Sequence, residues 1–241
     1  MGGGAHRVTD AIILAGGFGT RLRAAIADVP KPLAPVNGKP FLDHQLTWLA
    51  EGQISRAIIT AHFMADQIAR FADARTGQSL SLEVLREATP LGTGGAVKNA
   101  MARIVCENTC VVLNGDTYYT FDLGQVIAAH ARTDRPITMA IAKVENCARF
   151  GTVTLDGQNV TRFNHARGEV TPGLVSCGLY MIDTSVTAQM PDGPFSMERD
   201  FFPTMARQSA IAAHVVDRSD AFIDFGTPES YAFINRELSR T

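Results

Sequence analysis

Residues able to meet an anion are concentrated in a few short stretches of this 241-residue chain. "LAGGFGTRL", at residues 14–22, sets Gly16, Gly17 and Gly19 behind an apolar run and closes on Thr20, Arg21 and Leu22. Glycine lets backbone N–H groups come close to phosphate oxygens, because no Cβ blocks the approach. Arg21 adds a planar, permanently charged fork for the same oxygens. Lys31 follows in "PKPL", a point charge on a segment stiffened by the two prolines around it. Asp116 ends the apolar run "VVLNGD", and Asp224 stands in "FIDFGTP".

Glycine spacing excludes two familiar uses of such a loop. A dinucleotide fingerprint needs a third glycine at the helix and an acidic residue after the next strand. Here Thr20 and Arg21 follow Gly19, so that spacing fails, and no G-x-x-x-x-G-K-[ST] run exists for a P-loop. A plain strand-to-helix turn stays open on spacing alone. Arg21 and Lys31 tip the reading toward a phosphate-facing loop.

The elements that must position these residues follow from apolar periodicity. "DAIILAGG" (10–17) has the pattern of a buried parallel strand. "FLDHQLTWLAEGQ" is expected to be a helix, with Phe41, Leu42, Leu46 and Leu49 at helical spacing and Gly52 as its stop. Strands are expected over 56–63, 80–87 and 109–116, and helices over 64–74, 95–104 and 123–131, before the strand "ITMAIAKV". Alternation of strands and helices over the first 145 residues argues for a mostly parallel sheet covered on both faces. The second half differs. "GTVTLDGQNVTRFNH" has the alternation and Asp-Gly turn of a hairpin; "LVSCGLYMID" is one more strand, and 228–238 a helical tail. No linker tract separates the halves, so one domain is expected.

Composition narrows the partners. The formal net charge is −2, with 46% hydrophobic and 19% charged residues. That is an ordinary globular composition without the basic excess that nucleic acid or a membrane surface calls for. No stretch approaches the roughly 20 apolar residues of a membrane span. "MGGGAHR" lacks the apolar centre of a signal peptide, so a cytoplasmic protein is expected. Cys106, Cys110, Cys147 and Cys177 do not complete a zinc set and are expected to be buried, reduced thiols. The 13 phenylalanines suit either a core or a homodimer interface.

The stretches above resemble the sugar-1-phosphate nucleotidyltransferases. "LAGGFGTRL" with "KPLAPVNGKP" looks like the nucleotide-binding signature of that family. "EATPLGTGGA" (87–96), "VLNGD" (112–116), "FGTV" (150–153), "FSMERDFFP" (195–203) and "FIDFGTPESY" (222–231) match further family blocks in the same order. The resemblance spans roughly residues 10–235. It implies an α/β, Rossmann-like three-layer sandwich with a mixed, mostly parallel central sheet and an antiparallel sugar-binding portion. Residues 10–145 would form the nucleotide-binding half and 146–241 the sugar-phosphate-binding half. The implied reaction is attack by a sugar 1-phosphate on the α-phosphorus of a nucleoside triphosphate, with pyrophosphate leaving.

The resemblance also implies roles. Arg21, Lys31 and Asp116 are the expected catalytic residues, and Asp116 with Asp224 the expected Mg²⁺ pair. Leu14, Ala15, Gly16, Gly17, Gly19, Thr20, Glu87, Pro90, Gly92, Thr93, Asn114 and Gly115 are expected to bind nucleotide. Guanine shows two adjacent donors on its Watson–Crick edge, which one carboxylate can accept side by side. Glu87 therefore favours GTP over UTP or dTTP, whose bases suit an amide better. On the sugar side the expected residues are Gly151, Asn164, His165, Ser176, Gly178, Glu198 and Asp200. "FNHARG" replaces the family's usual Glu-Lys-Pro, leaving His165, Arg162 or Arg167 as sources of positive charge. "SCG" replaces Asn-Ala-Gly. These features are most similar to the D-glycero-D-manno-heptose 1-phosphate guanylyltransferases of surface-polysaccharide pathways. N-acetylmuramate-1-phosphate uridylyltransferases and mannose-1-phosphate guanylyltransferases are the alternatives within the family. A catalytically silent nucleotide sensor is the alternative of another class.

Overall fold

The computed structural model describes residues 9–22, 26, 28–75, 77, 79–104, 108–164, 170–216 and 222–239. In chain order its strands are β1 (Asp10–Leu14), β2 (Pro35–Val36), β3 (Lys39–Pro40), β4 (Arg56–Ala61), β5 (Ser81–Arg86), β6 (Thr109–Asn114) and β7 (Thr117–Tyr119). They continue with β8 (Ile137–Val144), β9 (Thr152–Asp156), β10 (Asn159–Asn164), β11 (Gly173–Asp183), β12 (Ile211–Val216) and β13 (Phe222–Asp224). The helices are α1 (Phe41–Glu51), α2 (Ala65–Asp73), α3 (Gly92–Met101), α4 (Leu123–His130), α5 (Phe202–Arg207) and α6 (Pro228–Leu238).

Nine of the described strands form one continuous sheet in the order β5-β4-β1-β6-β11-β8-β12-β10-β9. The pairs β5–β4, β4–β1, β1–β6 and β8–β12 are parallel. β11 runs antiparallel to both β6 and β8, and the β9–β10 hairpin closes the far edge. The sheet is therefore mixed, with its parallel stretch in the first half of the chain. β11, from the second half, separates β6 from β8.

Alternation along β1 shows why the sheet needs a layer on each side. Ala11 and Ile13 pack on one face with Leu46 and Leu49 of α1, Ile68 of α2 and Val126 of α4. Ile12 faces the other way, into a cluster with Val97 and Met101 of α3 and Phe202 and Met205 of α5. Both isoleucines are fully buried, each contributing roughly 1.5–3 kcal/mol of hydrophobic stabilisation. An apolar run buried on both faces is what a central parallel strand requires.

Two departures from the expected elements bear on the site. The third helix begins at Gly92, not at residue 95, because Gly92 (φ +69°) turns the chain into it. Gly94 and Gly95 lie inside that helix and admit the segment before α5. A Cβ on Gly94 would fall within 2.0 Å of the Phe195 ring, and one on Gly95 within 2.9 Å of the Gly193 carbonyl. The periodicity also gave no sign of β12, α5 or the short ribbon in which β13 pairs antiparallel with β7.

No helix among the described residues is long and apolar enough to cross a membrane. Cys110, Cys147 and Cys177 are buried and outside any disulfide, and burial pushes the Cys110 and Cys177 thiols far up. Cys106 and the N-terminal "MGGGAHR" lie outside the described residues.

Candidate active site

The carboxyl ends of β1 and β6, with the middle of the antiparallel β11 beside them, open into a cleft of about 560 Å³. A crevice at that end of an open α/β sheet is where ligands bind. The glycine loop forms one wall: Leu14, Ala15, Gly16, Gly17, Gly19, Thr20 and Arg21 all line it. Gly19 takes φ +58° and packs its backbone against Lys31, where a Cβ would sit 3.4 Å from the lysine Cβ. The Arg21 guanidinium lies over Gly226, 3.0 Å from where a Cβ would stand there.

Asp116 and Asp224 reach one place through the β7–β13 ribbon. Asp116 directly precedes β7, and Asp224 pairs with Thr117, the first residue of that strand. The Phe225 amide donates to the Asp116 carbonyl at 3.3 Å, and the Gly226 amide donates to Asp224 Oδ1 at 2.8 Å. Lys31 Nζ bridges the acids, 2.5 Å from Asp116 Oδ2 and 3.8 Å from Asp224 Oδ1. Burial, then repulsion from Asp116, raises the Asp224 carboxyl above its ordinary range, while Lys31 and Arg149 pull the other way. Among the described residues no cluster of three or more His, Cys, Asp or Glu side chains stands ready to bind a metal.

The turn that carries Asp116 is clamped from behind. Gln45, buried in the apolar stripe of α1, donates through Nε2 to the Asn114 carbonyl at 2.8 Å and the Thr117 carbonyl at 3.0 Å. Gly115 donates its N–H to the Leu14 carbonyl at 3.0 Å. A Cβ on Gly115 would fall 2.5 Å from that same oxygen, so the loops after β1 and β6 can touch only with glycine here. Gln45 is not among the residues expected at the site, although a glutamine inside a helical apolar stripe is a visible signal of a buried hydrogen-bonding task.

Glu87 lies just beyond β5, across from Gly16, whose hypothetical Cβ would be 3.7 Å from Glu87 Oε2. That oxygen accepts from the Leu91 amide at 3.2 Å, and the Glu87 carbonyl accepts from His62 Nδ1 at 2.8 Å. Burial raises the Glu87 carboxyl, outweighing the Leu91 amide and the nearby His62. Pro90, Gly92 and Thr93 line the same end of the cleft. Thr93 Oγ1 accepts from the Met197 amide at 2.9 Å and so ties α3 to the opposite wall.

On the other side, β11 bulges where it faces the cleft. Gly178 takes φ +69°, and the register with β8 shifts between Ser176 and Tyr180. Such bulges re-aim side chains beside functional sites. Ser176 Oγ donates to the Tyr180 hydroxyl at 3.1 Å and accepts from the Gly178 amide at 3.1 Å, so it braces the bulge. Gly151, Ser176, Gly178 and Glu198 line the cleft. Glu198 is presented by a single π-type turn, Met197–Phe201.

Of the residues expected on the sugar side, Asp200 and Asn164 do not line the cleft. Asp200 stays outside the cleft because its carboxylate accepts from the Ser196 amide at 2.7 Å, while Ser196 Oγ accepts from the Arg199 amide. This reciprocal pair caps the turn, a use of an early-helix acid that composition cannot separate from ligand binding. Asn164 ends β10 on an exposed face, and His165 and Arg167 lie outside the described residues. Arg162 is exposed on β10 and does not line the cleft. The unanticipated cation is Arg149, whose Nη2 is 3.1 Å from Asp224 Oδ2. Its position directly before "FGTV" was the available signal.

Known proteins resemble this chain along nearly its whole length. The sequence profile of the Nucleotidyl transferase family matches residues 10–241. The chain is 31% identical to a D-glycero-alpha-D-manno-heptose 1-phosphate guanylyltransferase of Aneurinibacillus thermoaerophilus, over 95% of this chain and 98% of the relative. It is 33% identical to the Campylobacter jejuni protein of the same name, over 92% of this chain and 96% of the relative. The crystal structure of HddC from Yersinia pseudotuberculosis superposes with a TM-score of 0.83 at 30% identity, over 96% of this chain and all of that one. A second structure of HddC is complexed with GMP-PN.

Proposed function

The chain belongs to the nucleotidyl transferase family, and from that membership we propose that it transfers GMP from GTP to a sugar 1-phosphate, releasing pyrophosphate. A phosphate oxygen of the sugar 1-phosphate attacks the α-phosphorus of GTP. The new P–O bond forms as the bond from that phosphorus to the β-phosphate's bridging oxygen breaks. The observation that carries the proposal is the convergence of Arg21, Lys31, Asp116 and Asp224 at the strand ends, with Glu87 across the same cleft.

No general base is required, because the nucleophile is already ionised; the chain has to position charge in line. The backbone of Gly16, Gly17 and Gly19 approaches the triphosphate, and Arg21 takes the leaving pyrophosphate. Lys31, held by the acid pair, meets charge building on the transferring phosphoryl group. The Glu87 carboxylate accepts the two adjacent donors of guanine.

Two facing carboxylates, one disfavoured in its charged form by burial and by the other acid, are a hard oxygen donor set that suits Mg²⁺. This ion commonly takes one or two carboxylates together with substrate phosphates. Asp116 and Asp224 would hold it, and when bound it supplies charge neutralisation at the phosphate oxygens.

Heptose 1-phosphate is the sugar we assign, because two relatives matched along nearly their whole length are named for it. The product would be GDP-heptose for surface polysaccharide, made in the cytoplasm where GTP is supplied. Pyrophosphate release, measured for GTP, UTP, dTTP and CTP against heptose, mannose and N-acetylmuramate 1-phosphates, tests the reading. The expected maximum is GTP with heptose 1-phosphate. A maximum with UTP and N-acetylmuramate 1-phosphate would overturn it. Release from no pair would leave a nucleotide-binding protein without this activity.

A further inference from the structure

We propose that Arg149 is the residue that grips the phosphate of the incoming sugar 1-phosphate; the inference rests on the guanylyl-transfer reading above. Among the described residues three cationic side chains line the cleft: Arg21, Lys31 and Arg149. Arg21 belongs to the glycine loop, and Lys31 is enclosed between the two acids with its side chain 10% exposed. Arg149 comes from a third segment, at the entry to the β9–β10 hairpin beside Phe150 and Gly151, with its side chain 43% exposed. A sugar phosphate arriving from solvent meets this guanidinium, the cation of the three that enters the cleft from the hairpin side.

The segment beneath it is braced. The Phe150 amide donates to the Cys147 carbonyl at 2.9 Å, closing a turn around Arg149, and the Cys147 amide donates to the Thr171 carbonyl at 3.0 Å. The Ala148 amide donates to Asn146 Oδ1 at 3.0 Å. The Phe150 ring packs edge-on against Phe222 of β13, centroids 5.2 Å apart. Arg149 Nη2 donates to Asp224 Oδ2 at 3.1 Å, which leaves further N–H groups of its five-donor fork for phosphate oxygens. Its bond to Asp224 sets the bound phosphate beside the acid pair, where the nucleophile has to be.

The experiment uses Arg149→Ala, Arg149→Gln and Arg149→Lys in the full chain. The KM for heptose 1-phosphate, or for mannose 1-phosphate if that is the better substrate, is expected to rise about tenfold or more in the first two variants. The KM for GTP should stay within about twofold. Lysine should rescue part of the loss, since it restores the charge and not the fork. Direct calorimetric binding of the sugar 1-phosphate, with no triphosphate added, should weaken in parallel. A sugar-phosphate KM and affinity unchanged in all three variants would overturn the inference, as would an equal rise in the GTP KM. Wild-type protein that binds sugar 1-phosphate through Arg149 without turnover would instead overturn the transfer reading alone.

Discussion

Lys31 and Asp116, 85 residues apart in the chain, meet at 2.5 Å between Nζ and Oδ2. The same ammonium stands 3.8 Å from Asp224 Oδ1 and 5.1 Å from the centre of the Phe225 ring. Its position is over-determined: the prolines on either side fix its backbone, two acids fix its charge, and an aromatic face supports it.

Lys31→Ala should therefore remove catalysis without unfolding the protein. Loss of one preorganised charge at the transferring group lowers kcat on the order of 10²–10³-fold. Steady-state kinetics beside thermal melting by circular dichroism checks this. Turnover near wild type would remove Lys31 from the mechanism.

Asp224→Asn separates stability from activity. Burial and Asp116 raise the Asp224 carboxyl in the folded protein, so the folded chain holds that proton more tightly than the unfolded chain does. The stabilising contribution is present below the unfolded pKa and is lost as pH rises through the folded one. An asparagine is neutral throughout and can still accept from Gly226. The variant should melt at or above the wild-type temperature at neutral pH while its kcat drops by about two orders of magnitude or more. A lower melting temperature at neutral pH would contradict the sign.

Glu87→Gln should exchange base preference. An amide offers one acceptor where the carboxylate offers two, so kcat/KM for GTP relative to UTP should fall about tenfold or more. Competition between the two triphosphates at equal concentration reads this ratio directly.

Acidification should weaken GTP binding at unusually high pH for a glutamate. Burial raises the Glu87 carboxyl, and only its ionised form accepts both guanine donors. The GTP KM of the wild type should climb as pH falls through that raised value, above the ordinary 4.5. In Glu87→Gln this rise should disappear. A KM profile that overlays that of the variant would show that Glu87 does not meet the base.

Gly115→Ala should cost both stability and rate. The added Cβ would collide with the Leu14 carbonyl, and neither strand end can yield without moving Asp116. A loss of roughly 1–3 kcal/mol by urea denaturation, with reduced kcat, is the expected result.

Much of this arrangement was legible in the residues. The strands and helices that carry Gly16, Glu87 and Asp116 are long enough for apolar periodicity to reveal them, and glycine spacing excluded the wrong ligand classes. The pairing of Asp116 with Asp224 was not legible by the same route. It depends on β7 and β13, each three residues long, and three residues carry no period. Asp200 shows a second limit. An acid at the start of a helical turn can bind a ligand or cap the turn, and only the Ser196 amide at 2.7 Å decides between them. Arg149 shows a third, because an arginine in a loop takes its meaning from Asp224, 75 positions away.

The small apolar cluster of Leu22, Phe41, Phe225 and Ile234 joins the end of the glycine loop to α1, β13 and α6. The nine strands of the large sheet and the glycine loop all come from residues before β13. Asp224, and the Phe225 and Ile234 side chains that pack with Leu22, come from the segment of ribbon strand and helix that follows. A chain cut before β13 would hold every strand of the large sheet and lack the acid pair.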